Sequence, residues 1–200
     1  MNAAIIVAHP DDEVIWSGGL ILLHPEWEWT VLCLSRKDDP DRYPKFKSVC
    51  TLIGVRGFIT DLDDGDPLKP INRRREIGRR IREYLPQIPW GLCITHGRNG
   101  EYGHQRHKEV HAEVLDLIND GVLECKDLWT FAYDCDAGTG TCCADPQADI
   151  IVELSEEQLC EKRRIVREVY GYDEDSFELC ACISPEAFRR WESPVEEYIR

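Results

Sequence analysis

Two segments of this 200-residue chain gather side chains that bind metal ions and move protons. The first is His9-Pro10-Asp11-Asp12-Glu13. The second is His96-Gly97-Arg98-Asn99-Gly100-Glu101-Tyr102-Gly103-His104, which continues as Gln105-Arg106-His107-Lys108-Glu109-Val110-His111. Five of the six histidines lie in these segments, and only His24 lies elsewhere. Imidazole and carboxylate are the donors of a catalytic divalent-metal site, which takes three protein ligands and keeps a position for water. His9 and Asp12 are three residues apart across a strand-to-helix corner, so both can reach one point. His104, His107 and His111 fall on one helical face at i, i+3 and i+7. Two donors from one segment and one from the other would build such a site. Asp11, beside a ligand but not itself needed on the ion, can take a proton from water. Each half is ordinary alone: a His-x-x-His pair is more often solvated or packed than metal-bound, and acidic residues at a helix start usually cap it. Their joint placement is harder to explain that way, because His9 has no capping role and directly follows an apolar run.

The elements that must position these groups follow from hydrophobic patterning. Residues 3–8 read as a buried strand, 12–23 as a helix with an acidic first turn, 30–34 as a strand, 40–53 as a helix ending at Gly54, and 57–62 as a third strand. Residues 71–85 read as a helix with Ile77, Ile81 and Leu85 on one face and six arginines covering the rest, a solvated surface. Residues 92–95 read as a strand, 101–119 as a helix and 128–133 as a fifth strand. Beyond about residue 135 the pattern loosens: a flexible loop around Gly138-Thr139-Gly140-Thr141, a strand at 150–154, a helix at 156–170 and a late strand at 177–183. Alternating strands and helices predict an α/β fold, a Rossmann-like three-layer α/β/α sandwich with a mostly parallel sheet, as one domain over 1–200. Sites in such sheets form beyond the carboxyl ends of the strands, near the switch point of strand order. Both histidine segments leave the sheet at that edge.

The run Ala8-His9-Pro10-Asp11-Asp12-Glu13, with Gly103-His104-x-x-His107 later, resembles the LmbE-like/PIG-L family of zinc N-deacetylases. That family includes N-acetylglucosaminyl-phosphatidylinositol deacetylases and deacetylases of bacterial thiol glycosides. The resemblance covers the pattern to about Tyr133, and Pro185-Glu186-Ala187-Phe188 resembles the family's C-terminal region. It implies that His9, Asp12 and His107 bind zinc, choosing His107 over His111, which spacing alone leaves open. It implies Asp11 as general base and His104 as oxyanion stabiliser or acid toward the leaving amine. It places Arg42 and Asp64 against sugar hydroxyls and implies a small amino-sugar-type substrate that loses its acetyl group. Another divalent ion could replace zinc, since these donors discriminate weakly. One departure stands out. Many members carry Pro-Asp between the two histidines, the Asp supporting the first; here the pair is Gln105-Arg106. An arginine does not stabilise an imidazolium as a carboxylate does, and Glu101 is the candidate to supply the missing carboxylate. Glu13 reads as support or cap. The 98–103 and 61–67 loops are placed to shape a pocket for a polyhydroxy ligand.

A net charge of −14 repels phosphate backbones and anionic headgroups, which argues against nucleic acid or membrane as partner. No apolar run is long enough to span a membrane, and the start of the chain lacks a signal-peptide pattern, so a cytoplasmic location is expected. The ten cysteines are then expected as thiols, with Cys33, Cys50, Cys93 and Cys160 inside apolar patterns. Whether a disulfide forms within the Cys135 to Cys143 loop cannot be inferred from spacing. Oligomeric state stays open. Three rivals remain. A nucleotide-binding domain would need a glycine-rich turn where His9 to Glu13 stand. A metal-binding protein without activity would have no use for Asp11. Hydrolysis of a different small amide is compatible with every residue named.

Overall fold

The computed structural model describes residues 1–66, 69 and 71–191, so Pro67 at the end of the 61–67 loop lies outside the described residues. The chain alternates β1 (Asn2–Val7), α1 (Asp12–Leu23), β2 (Glu28–Ser35), α2 (Arg42–Leu52) and β3 (Arg56–Leu62). A π-helical turn, Arg74–Gly78, then runs into α3 (Arg79–Tyr84), followed by β4 (Trp90–Thr95), α4 (Gln105–Asn119) and β5 (Cys125–Phe131). After these come a hairpin of β6 (Tyr133–Asp136) and β7 (Thr141–Ala144), β8 (Ile150–Val152), α5 (Glu156–Arg164) with a π-helical turn Ile165–Val169, α6 (Phe177–Cys180) and β9 (Glu186–Trp191).

Seven strands form one sheet in the order β3-β2-β1-β4-β5-β9-β8. The first five strands are parallel, and β9 at one side runs antiparallel to both of its neighbours, β5 and β8. Alternation along β1 explains the layers, since successive side chains leave opposite faces of a strand. Ala3, Ile5 and Val7 pack with Val14 and Ile15 of α1, Phe46 and Val49 of α2, and Ile165 and Val166. Ala4, Ile6 and Ala8 pack on the other side with Ile77, Ile81, Val110, Val114 and Leu117. This is the expected three-layer α/β sandwich. Strand order reverses at β1, which lies between β2 and β4, so the residues after β1 and β4 emerge side by side.

Four local expectations need correction. The apolar run at 177–183 does not form a strand. Ser176 accepts the Leu179 N–H and starts the short helix α6, and the pairing strand comes later, at β9. There Glu186 is buried, accepts the Gly19 and Leu20 N–H groups, and pairs with buried Lys162 at 2.7 Å, tying the last strand to α1. The helix expected from residue 101 starts at Gln105, because Gly100, Glu101 and Gly103 adopt positive φ, which an α-helix cannot hold. The stretch around Gly138 is the turn of the β6–β7 hairpin, not a free loop, and a Cys135–Cys142 disulfide joins its directly paired positions. The other eight cysteines are free thiols, but Cys160 is exposed, not packed.

Candidate metal centre and pocket

At the end of β1 the chain turns sharply. Asp11 takes φ of 116°, a strained value for a residue with a side chain, and α1 begins at Asp12. Glu13 holds that conformation, because its carboxylate accepts the Asp11 N–H at 3.0 Å and the Tyr170 hydroxyl donates to its other oxygen. Glu13 is fully buried, and burial pushes its pKa up to about 8. Asp12 is fixed from both sides: Oδ2 accepts the His9 N–H at 2.8 Å and Oδ1 accepts the Trp16 indole N–H at 3.0 Å. Burial opposes its charge, but His107, His96 and His9 hold its carboxyl well below the usual range.

At the end of β4, His96 is buried, and its Nε2 accepts the Ala8 N–H at 2.9 Å. That nitrogen is therefore an acceptor, and Nδ1, 3.0 Å from Glu101 Oε2, carries the proton. Glu101 also meets His107 Nδ1 at 2.6 Å and accepts the Gly97 N–H at 2.6 Å. Gly97 is required here, since a Cβ would lie 2.4 Å from the Phe131 carbonyl oxygen.

These elements bring three atoms into a small triangle. His9 Nδ1 lies 3.1 Å from His107 Nε2 and 3.4 Å from Asp12 Oδ2, and His107 Nε2 lies 3.5 Å from Asp12 Oδ2. A tetrahedral zinc with bonds of about 2.0–2.1 Å needs ligand atoms roughly 3.3–3.4 Å apart, so the triangle fits such an ion. Each imidazole also has the outer carboxylate that metal-bound histidines use to fix their tautomer. His9 Nε2 meets Asp64 Oδ2 at 3.0 Å, and His107 Nδ1 meets Glu101. Burial opposes a charge on His9, yet Asp12 and Asp64 raise its pKa to about 10, the mark of a site with negative charge to share with a cation.

His104 caps α4, and its ring lies 4.8 Å from that of His9 and 4.6 Å from that of His107. The nitrogens of His9, His104 and His107 lie within 4.8 Å of one another, as do the donor atoms of Asp12, His96 and His107. His96, however, already accepts from Ala8 and has no lone pair for an ion. The carboxylate expected beside His104 is absent: Glu101 serves His96 and His107, and His104 Nδ1 is buried without a partner among the described residues. Burial, then the neighbouring imidazoles, lower the His104 pKa to about 3, so the ring is neutral.

Asp11 faces a cavity of about 170 Å3 that His9, Trp16, Arg42, Tyr102 and Phe177 help to line. Burial, and next the Asp12 charge, push its pKa up to about 7, while Arg42 and Tyr172 pull it back. Arg42 lies 3.2 Å from Asp11 Oδ2 and stacks over the Tyr172 ring, whose hydroxyl donates to the same oxygen. Asp64 also lines the cavity, but its Oδ2 is engaged by His9 and by Arg36 at 3.0 Å. The site thus assembles His9, Asp11, Asp12, Arg42, Asp64, His104 and His107. His111 lies apart, its Nδ1 on the His96 carbonyl oxygen at 2.8 Å. Sequence reasoning missed the placements of His96, Glu101, Tyr170 and Tyr172. His96 had a signal: it follows β4 as His9 follows β1.

The mostly parallel sheet thus carries a histidine–carboxylate triangle at its switch point, backed by outer carboxylates and flanked by a buried acid, a donor set suited to a divalent ion. The chain belongs to the PIG-L family: residues 4–118, more than half of it, match the family model described as GlcNAc-PI de-N-acetylase. A curated relative, an uncharacterised protein of Acanthamoeba polyphaga mimivirus, is 24% identical over 146 residues, which cover 65% of this chain and 61% of that protein. The chain therefore matches less than two thirds of that relative's length. Among solved structures, the N,N'-diacetylchitobiose deacetylase of Pyrococcus horikoshii is similar with a TM-score of 0.64 and 16% identity, covering 99% of this chain and 88% of the other. The 4-carboxy-2-hydroxymuconate hydratase GalB of Pseudomonas putida KT2440 is similar with a TM-score of 0.65 and 14% identity, covering 96% and 97%. At these identities the likeness is one of fold, and the hydratase shows that this fold does not fix one reaction. Family membership supports a deacetylase. No helix among the described residues is long and apolar enough to cross a membrane.

Proposed function

We propose that the chain is a zinc-dependent N-deacetylase acting on a small amino-sugar-type substrate, with residues 1–200 forming one such unit. The observation that carries the reading is the triangle of His9 Nδ1, Asp12 Oδ2 and His107 Nε2, with separations of 3.1–3.5 Å matched to a tetrahedral ion. In this reading those three residues hold the metal, which supplies Lewis acidity toward water and the amide carbonyl. Asp11 accepts the proton of the attacking water, and its raised pKa of about 7 suits both taking that proton and returning it. As the C–N bond breaks, the Asp11 carboxyl delivers the proton to the departing nitrogen, leaving acetate and a free amine. His104, neutral and without a carboxylate, serves the oxyanion through an N–H, not as a cationic acid. Asp64 orients His9 through Oδ2, and polar contacts to a sugar fall to Arg42 and Asp64, which both line the cavity. A cytoplasmic setting is part of the proposal and is supported by the eight free cysteines, with the Cys135–Cys142 bond as the exception.

Elemental analysis tests the metal part. About one zinc per chain is expected after reconstitution, in the pattern of three protein ligands and one open position. Protein that retains no divalent metal under those conditions contradicts the reading.

A further inference from the structure

We propose that Arg106 is a positioning residue that locks the loop after β3 so that Asp64 orients His9, an inference that rests on the metal-site reading above. Arg106 directly precedes His107 and is 1% exposed. Burying a guanidinium is costly unless its N–H groups are paired. Here every nitrogen finds an acceptor, and three of those acceptors are carbonyl oxygens of one loop. Nε donates to Asp63 at 3.2 Å, Nη2 to Asp66 at 3.2 Å, and Nη1 to Lys69 at 3.3 Å and to Glu109 Oε2 at 2.5 Å. The planar fork of arginine can gather carbonyls in this way, and a lysine cannot reproduce the full set.

The gathered loop carries Asp64. Its Oδ1 lies 3.7 Å from Arg106 Nε, and its Oδ2 meets His9 Nε2 and Arg36. A carboxylate on Nε2 keeps the proton there and turns the Nδ1 lone pair of His9 toward Asp12 and His107. Within the loop, Gly65 N donates to Asp63 Oδ1 and Lys69 N to Asp66 O. Arg106 ties the Asp63, Asp66 and Lys69 carbonyls to the helix that carries His107.

Chelator competition for zinc and hydrogen exchange of the Asp64, Gly65 and Asp66 amides test this in wild type, Arg106→Gln, Arg106→Lys, Asp64→Asn and the Arg106→Gln/Asp64→Asn double variant. Arg106→Gln and Asp64→Asn are each expected to weaken zinc about 10- to 100-fold. Because both act through one carboxylate, the double variant should bind zinc no more weakly than the worse single variant. Arg106→Lys should recover part of the loss, and Arg106→Gln should speed exchange of the three amides in metal-free protein. Zinc affinity of folded Arg106→Gln within about twofold of wild type, or losses that multiply in the double variant, overturns the proposal. Unchanged exchange of the loop amides also overturns it. If wild type itself binds no zinc, the metal-site reading fails, and the exchange result, which needs no metal, still decides whether Arg106 holds the loop.

Discussion

Asp11→Asn is expected to lower kcat about 100- to 10,000-fold while zinc stays bound, the range typical of losing a positioned general base. The amide is nearly isosteric with the carboxylate but cannot take a proton from water. The ligand triangle does not include Asp11, and the Glu13 bond to its backbone N–H is untouched by the change. Arg42 and Tyr172 lose a charged partner, so KM shifts as well if they also touch the substrate. Steady-state acetate release and zinc content, measured on the same preparation, check the prediction. Turnover that survives within a few-fold places the base elsewhere, and loss of zinc together with activity makes Asp11 part of the metal site.

His107→Ala is expected to abolish both stoichiometric zinc and turnover, because it removes one corner of the triangle and the partner that links α4 to β1. Glu101→Gln tests the same corner more gently. The glutamate accepts from His107, His96 and the Gly97 N–H, and an amide has one oxygen to offer where the carboxylate has two. Zinc affinity should fall about 10- to 100-fold, as when an outer carboxylate partner is lost. Competition with a coloured chelator reads both variants. Zinc retained at wild-type affinity in His107→Ala would show that the ion sits elsewhere.

The central site was legible because its groups are local to strand ends. His9 and Asp12 follow β1 within five residues, and an apolar strand leading straight into His-Pro-Asp-Asp is a strong signal in one dimension. The choice of His107 over His111 was not contained in the spacing, since both share one helical face. It came from the family resemblance, and the structure places His111 on the His96 carbonyl oxygen. What stayed hidden depends on contacts distant in the chain. Glu101 lies three residues from His104, yet the positive φ values at Gly100, Glu101 and Gly103 turn its carboxylate toward His96 and His107. Asp64 resembled a sugar contact, but 55 residues of separation conceal its bond to His9. Tyr170 and Tyr172 reach Glu13 and Asp11 from the far end of the chain, and no pattern in either segment announces them. The 177–183 run shows the limit of reading short apolar stretches, because one serine cap turned an expected strand into a helix.

The most direct test of the central claim is acetate release from a panel of N-acetylated amino sugars by one preparation in three states: as purified, stripped by chelator, and resupplied with zinc. The account predicts acetate and free amine in equal amounts from the purified protein, none after stripping, and recovery with zinc. Acetate release that persists unchanged in the stripped protein, or zinc-loaded protein that releases none from any member of the panel, would contradict it.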